Sequence, residues 1–267
     1  MIDAELAAYC QRKEWLGGAH LRYLEQIGST NDVVREAGES GAPEGWGALA
    51  ELQTAGRGRL DRRWEAPAGS CLLLSLLFRP AEPFAYWARR ITMICGIALV
   101  DAVAAQVGPG ALLKWPNDLI RNRPDGWVKL AGMLSEIGLK DGRPDFIVVG
   151  IGINVNVPAE VLPTLAPNAA SLLSEFGRPV SRVALLEAFL QGIERCYAEL
   201  RGGVDPLPEW RARLAWLGEP VRMVTLQGEV EGRAESVDED GALWIRRPDG
   251  DLTRFEVGDV SLRIAEM

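Results

Sequence analysis

The chain has 267 residues, is 48% hydrophobic and carries a formal net charge of -8 at pH 7, enough to bury one large core or a medium core with a small companion. The acidic balance speaks against a general nucleic-acid coat, no apolar run approaches the roughly 20 residues that span a bilayer, and the polar N-terminus MIDAELAAYCQRKEW is neither a signal nor a transit peptide. Cys10, Cys71, Cys95 and Cys196 are far apart and His20 is the single histidine, so buried thiols in a reducing cytosol are expected, with no metal site and no Ser-His-Asp triad.

In chain order, residues 3–16 are expected to form a first helix, and LRYLEQI (21–27) alternates like a half-buried strand that carries His20 at its start. Ser29-Thr30-Asn31-Asp32 supplies N-cap residue types ahead of VVREAGES, so it marks a strand-to-helix turn. WGALAELQT (46–54) and SCLLLSLLFRP (70–80) read as strands, and 84–107 as the longest helix. ALLKWPNDLIRN and WVKLAGMLSEIGL are expected to be two strands joined at RPDG, followed by a third strand over 145–157. Helices are expected at 181–201 and around 206–216. After Gly218 the chain turns to short alternating runs broken by Gly and Asp-Gly, the pattern of a small β-barrel. The organisation is thus α+β: a domain over 1–215 and a β cap over 218–267.

QTAGRGRLDRRW (53–64) gathers Arg57, Arg59, Arg62 and Arg63 in an acidic chain. It is neither a P-loop nor a Rossmann fingerprint, because the required lysine and third glycine are absent. A merely exposed basic loop rarely concentrates four guanidinium groups. Their repulsion favours an open loop that closes on an anion, with arginine forks and glycine-exposed backbone N–H groups as donors. In LKWPNDL (113–119), Pro-Asn-Asp is ordinary turn chemistry, but Lys114 on an apolar strand needs a partner if buried. Lys129 has Gly132 leaving room beside it, and Gly150 and Gly152 interrupt a strand that otherwise wants branched side chains, a sign of close approach by ligand or backbone.

Taken together, Gly28-Ser29-Thr30-Asn31, Gln53-Thr54-Ala55-Gly56-Arg57-Gly58-Arg59, Lys114-Trp115-Pro116-Asn117-Asp118, Lys129-x-x-Gly132-Met133-Leu134-x-Glu136 and Gly150-Ile151-Gly152-Ile153-Asn154 resemble the biotin–protein ligases over nearly the whole chain. The resemblance implies a mixed β-sheet catalytic domain of the class II synthetase type followed by a small SH3-like β-barrel. It implies a cytoplasmic enzyme, monomer or homodimer, that joins biotin to ATP as biotinyl-5′-AMP, with Mg²⁺ carried in by ATP. The biotinyl group then passes to a lysine of a biotin carboxyl carrier domain. Ser29, Thr30, Asn31 and Gln53 would line the biotin pocket. Gly56, Arg57, Gly58 and Arg59 would belong to a loop over biotin and the phosphates. Lys129, beside Gly132, would meet the biotin carboxylate and the α-phosphate, and Trp64 would pack over the site. Asn154 would contribute on the nucleotide side, and Gly152 would count among the biotin- and ATP-binding residues. Asp118 would meet the acceptor lysine, and Lys114 would fix this constellation or contact phosphate.

Many relatives continue the loop as GRGR-x-GR, whereas Leu60-Asp61-Arg62 stands here, which bears on how the loop closes. Some relatives add an N-terminal helix-turn-helix, and the roughly 20 residues before the first core strand are too few for one. A ligase without that function is therefore expected. A lipoate or octanoyl transferase on the same fold is the alternative. A nucleic-acid module is disfavoured by the charge and by the lack of aromatic platforms, and no membrane partner is expected.

Overall fold

The computed structural model describes residues 3–59, 62–225, 228–256 and 258–262; Asp61 lies outside them. The elements are α1 (Ala4–Arg12), β1 (Glu14–Trp15), β2 (Ala19–Ile27), α2 (Thr30–Glu39), β3 (Gly47–Gln53), β4 (Cys71–Phe78), α3 (Phe84–Val107), β5 (Ala111–Lys114), β6 (Asp118–Arg123), β7 (Gly126–Lys140) and β8 (Arg143–Asn154). They continue with α4 (Leu162–Leu165), α5 (Leu172–Phe176), α6 (Arg182–Arg201), α7 (Leu207–Ala212), β9 (Pro220–Thr225), β10 (Gly228–Val237), β11 (Leu243–Arg246), β12 (Leu252–Phe255) and β13 (Asp259–Leu262).

Strands β1 to β8 form one mixed sheet in the order β1-β2-β3-β4-β8-β7-β6-β5. Only the β2–β3 pair is parallel, and α2 makes the crossover between them. Every residue of β4 is buried, because the sheet is covered on both faces. Its alternation nevertheless sorts the faces. Leu72, Leu74, Leu76 and Phe78 join the main core with α3 and α6, whereas Leu77 meets α2 and Cys71 and Leu73 pack beneath Trp64 and Val157. The same period of two divides β8: Ile147, Val149, Ile151 and Ile153 enter the main core, and Gly150, Gly152 and Asn154 turn to the opposite face. That opposite face holds the site.

Strands β9 to β13 form a separate antiparallel sheet in the order β12-β11-β10-β9-β13, the SH3-like unit, with Val221, Met223, Ile245 and Val260 inside. It docks through the Trp115 indole N–H donating to Gly241 O at 2.8 Å and Arg90 Nη1 to Glu239 O at 2.6 Å.

The architecture expected from the sequence stands, with four local corrections. The first helix stops at Arg12, since Glu14 and Trp15 pair with His20 and Ala19 as a short strand. ALLKWPNDLIRN is not one strand but the hairpin β5–β6, with Lys114 opposite Asp118; Trp115-Pro116-Asn117 makes the turn. The last helix spans only Leu207–Ala212. Finally, α3 is long and apolar enough to cross a membrane. Here it packs against the sheet and α6, with Ile91, Ile94, Ile97, Leu99 and Val103 at zero exposure, so its apolar length serves the core.

Candidate active site

The rims of β3, β7 and β8, the β5–β6 turn, the N-terminus of α2, the arginine segment and the 165–169 connection enclose a cavity of about 350 Å³, the size of a small-molecule site. Every site residue expected from the sequence lines it except Gly56, which sits behind the wall. There an added Cβ would lie 2.4 Å from the Trp64 carbonyl oxygen. Gly258 and Asp259 of the C-terminal sheet line the cavity too.

One end is a neutral hydrogen-bonding floor. Ser29 caps α2 in extended backbone but makes no side-chain capping bond, which leaves its hydroxyl at a helix N-terminus where the dipole favours acceptor or anionic atoms. Thr30 donates both its N–H, at 2.7 Å, and its hydroxyl, at 3.0 Å, to Gln53 Oε1. Ser75, wholly buried on β4, donates to Asn31 Oδ1 at 2.6 Å and lies 2.7 Å from Thr30 Oγ1.

The middle is a slot closed by Trp64. An added Cβ on Gly152 would lie 2.5 Å from the Trp64 ring, and one on Gly132 would lie 3.1 Å from both that ring and Lys129 Nζ. The close approach that the glycines of β7 and β8 announce is therefore made by a side chain of the chain itself. Gly150 does the same for Asn31 Oδ1, at 2.2 Å. The Trp64 indole N–H is buried and has no hydrogen-bond partner among the described residues. Asn154 is buried beneath this slot, its amide donating to Ala170 O at 3.0 Å. Lys129 exchanges main-chain bonds with Asn168 and Ala170, which is how the 165–169 connection reaches the cavity.

The other end is a chain of alternating charges. Lys129 Nζ sits 2.7 Å from Asp118 and 5.5 Å from the Trp64 ring centroid. Asp118 is 3.7 Å from Lys114 Nζ, Lys114 is 2.5 Å from Asp259, and Asp259 is 3.0 Å from Arg62 Nη1. The Lys114 side chain is 2% exposed, so the partner its burial demands has been found: two carboxylates, one of them on the C-terminal sheet. Of the two roles open to Lys114, this geometry favours fixing the constellation. Burial pulls the Asp259 carboxyl upward, but the Lys114 ammonium and Arg62 guanidinium overcome it and hold the group below the usual range. Arg59 donates to Asn117 Oδ1 at 3.1 Å and Gly258 O at 3.5 Å, and burial lowers its pKa.

The arginines do not repel one another into an open loop. Gly58 N–H donates to Arg62 O at 2.7 Å and Trp64 N–H to Gly56 O at 3.0 Å, closing a small hairpin. Arg57 is held by Asp32, with Nη1 2.8 Å from both oxygens, and by Glu136 at 3.1 Å. The Asp32 hydrogen bond raises the Arg57 pKa further. Carboxylates thus take up the charge of Arg57 and Arg62, and Arg59 is tied to an amide oxygen and a main-chain carbonyl.

Ser75, Asp32 and Asp259 escaped the sequence reading. Ser75 is a lone hydroxyl in CLLLSLLF, and a polar residue inside a buried run was the available signal. Asp259 offered none, since only the docking of the second sheet brings it near Lys114.

A sequence profile described as the Biotin/lipoate A/B protein ligase family matches residues 23–154, and one described as Biotin protein ligase C terminal domain matches 216–263. A Biotin--[acetyl-CoA-carboxylase] ligase of Paracoccus denitrificans is 34% identical over 85% of this chain and 94% of its own length. The chain belongs to the biotin protein ligase family. A Bifunctional ligase/repressor BirA of Bacillus subtilis is 30% identical over 92% of this chain and 74% of its own length. The biotin protein ligase from Aquifex aeolicus, solved in complex with biotin and ATP, superposes with a TM-score of 0.73, 26% identity and coverage of 91% and 98% of the two chains.

Proposed function

We propose that this chain is a biotin–[acetyl-CoA-carboxylase] ligase that activates biotin as biotinyl-5′-AMP and transfers it to a lysine of a biotin carboxyl carrier domain. Residues 1–215 form the biotin- and ATP-binding unit, and 218–267 a cap that donates Asp259. The observation that carries this reading is the polarity of the cavity. Its floor of hydroxyls and an amide suits a neutral cyclic urea, the Trp64 slot suits an aliphatic chain, and the far end holds Lys129 and Arg59 where a carboxylate and phosphates would meet.

Adenylation brings two anions together. The biotin carboxylate oxygen attacks the α-phosphorus of ATP, which enters as its magnesium complex. The bond from the α-phosphorus to the bridging oxygen breaks, and pyrophosphate leaves with the electron pair. No base is needed, because the nucleophile is already ionised. Fixed cations do the work by screening the approach and stabilising charge on the leaving group. Lys129 is suited to this: Asp118 holds it on one side and the Trp64 face on the other, so its ammonium is oriented before substrates arrive. Arg57, Gly58 and Arg59 cover the mixed anhydride and shield it from water.

In the second step a neutral acceptor amine attacks the acyl carbon, AMP departs, and Asp118 orients the amine and takes its proton. Asp118 is 14% exposed and paired to Lys129, so it becomes available as Lys129 turns to the phosphate.

The test is pyrophosphate release on incubation with magnesium, ATP and biotin, lipoate or octanoate separately, followed by label transfer to a carrier domain. Release with biotin alone is expected. No biotin-dependent release overturns the reading, and release with lipoate or octanoate redirects it to acyl transfer of that class.

A further inference from the structure

Glu136 closes the Lys129-x-x-Gly132-Met133-Leu134-x-Glu136 stretch and has so far been described only as a partner of Arg57. It stands on the site face of β7, in register with Val148 of β8, but does not line the cavity. Its carboxylate takes the Asn31 amide N–H at 2.7 Å and Arg57 Nη2 at 3.1 and 3.3 Å. The second Asn31 N–H faces Leu134 O at 3.4 Å. Both amide hydrogens are therefore spent behind the cavity wall, and Asn31 Oδ1 must point to Ser75.

The direction of the remaining hydrogens follows from that anchor. Ser75 has one hydroxyl proton and two oxygens within 2.7 Å, Asn31 Oδ1 and Thr30 Oγ1. The amide oxygen can only accept, so it takes the Ser75 proton. Thr30 then spends its own proton inside the chain, on Ser75 Oγ or on Gln53 Oε1, and turns lone pairs to the cavity. The Thr30–Asn31–Ser75 side of the floor consequently offers acceptors, which pair with ligand N–H groups, while the Ser29 hydroxyl, which makes no capping bond, is left as a donor toward a ligand carbonyl. Asn31 cannot turn over to reverse this order, because its amide oxygen would then face the Glu136 carboxylate.

We infer that Glu136 is a positioning residue that sets the donor–acceptor polarity of the pocket floor through Asn31, Ser75 and Thr30, so selecting a cyclic-urea substrate, while seating Arg57. This rests on the proposed biotin activation, and names what in the site prefers a ligand with ring N–H groups. Asp32 shares Arg57, so loss of Glu136 loosens that arginine without freeing it; among the described residues Asn31 meets no second carboxylate.

The experiment measures binding of biotin, and of its cyclic-carbamate analogue in which oxygen replaces one ring N–H, to wild type, Glu136→Ala and Glu136→Gln by calorimetry. Release of the adenylated intermediate is followed alongside, all at a temperature where circular dichroism shows each protein folded. Glu136→Ala is expected to weaken biotin about tenfold and to bring its preference for biotin over the carbamate to within about threefold of unity, the loss of one directed hydrogen bond. Glu136→Gln still accepts from Asn31 through its amide oxygen, so it should keep the wild-type preference and release the intermediate several-fold faster. If Glu136→Ala weakens both ligands equally, its effect is general destabilisation and the inference is overturned. Should Glu136→Ala not fold, Glu136→Gln decides alone: a lost preference, or release at the wild-type rate, overturns the inference. If the wild type binds no biotin, the functional reading fails and takes this one with it; if it binds and Glu136→Ala binds identically, only this inference falls.

Discussion

Replacing Asp259 by asparagine removes one charge from the pair that joins the two sheets and leaves the shape of the side chain. The Lys114 ammonium is 2% exposed and would keep the Trp127 ring face, 5.1 Å from its centroid, and, as its one carboxylate among the described residues, Asp118, 3.7 Å away and already shared with Lys129 at 2.7 Å. Breaking a buried ion pair on one side costs about 3–5 kcal/mol, because the other charge stays behind without compensation. Two features reduce that here. The asparagine oxygen still accepts a neutral hydrogen bond, worth about 1 kcal/mol, and the Asp259 side chain is itself 32% exposed. The exposed Arg62 contact adds little. Asp259→Asn should therefore lose about 2–3 kcal/mol in urea unfolding followed by tryptophan fluorescence. Lys114→Met on the same background removes the stranded charge and should recover stability to within about 1 kcal/mol of wild type. A single variant within about 0.5 kcal/mol of wild type, or a double variant no better than the single, refutes a buried charge link.

Three further outcomes follow from the same geometry. Asp259 titrates below the ordinary aspartate value of 3.8 in the folded chain. Its contribution is thus complete above that value and lost as pH falls through the lower folded value. Acid unfolding should begin in that window and lose part of its slope in Asp259→Asn; parallel curves would contradict it. Lys129→Ala, at a partly exposed position, should keep the unfolding midpoint while biotin-dependent pyrophosphate release drops about 10²–10³-fold, and an unchanged rate removes Lys129 from the chemistry. Gly152→Ala puts a methyl 2.5 Å from the Trp64 ring. It should cost about 1–3 kcal/mol or expel the ring, and pyrophosphate release should fall with it; wild-type stability and rate together would show that Trp64 does not rest there.

Local order was written into the sequence wherever it depends on neighbours along the chain. The 3.6-residue spacing bounded α3 at Phe84–Val107, and the Ser-Thr-Asn-Asp run marked the start of α2, with Ser29 as its N-cap and Thr30, Asn31 and Asp32 already in its first turn, because periodicity and capping act within one or two turns. The site motifs were legible for a related reason: glycine in a β-branched strand and lysine beside tryptophan are costly without a purpose, and each turned out to have a neighbour that explains it. What the chain could not show by itself was which charges would meet. Asp32, Glu136 and Asp259 look like surface acids in one dimension, and the arginine segment looks like an open loop repelling itself. Only the β7–β8 register places Glu136 behind Arg57 and Asn31, and only the docking of the C-terminal sheet carries Asp259 across some 145 residues to Lys114. Coulomb and hydrogen-bond energies depend on separation in space over a few ångströms, so their partners are fixed by the tertiary structure and not by sequence distance.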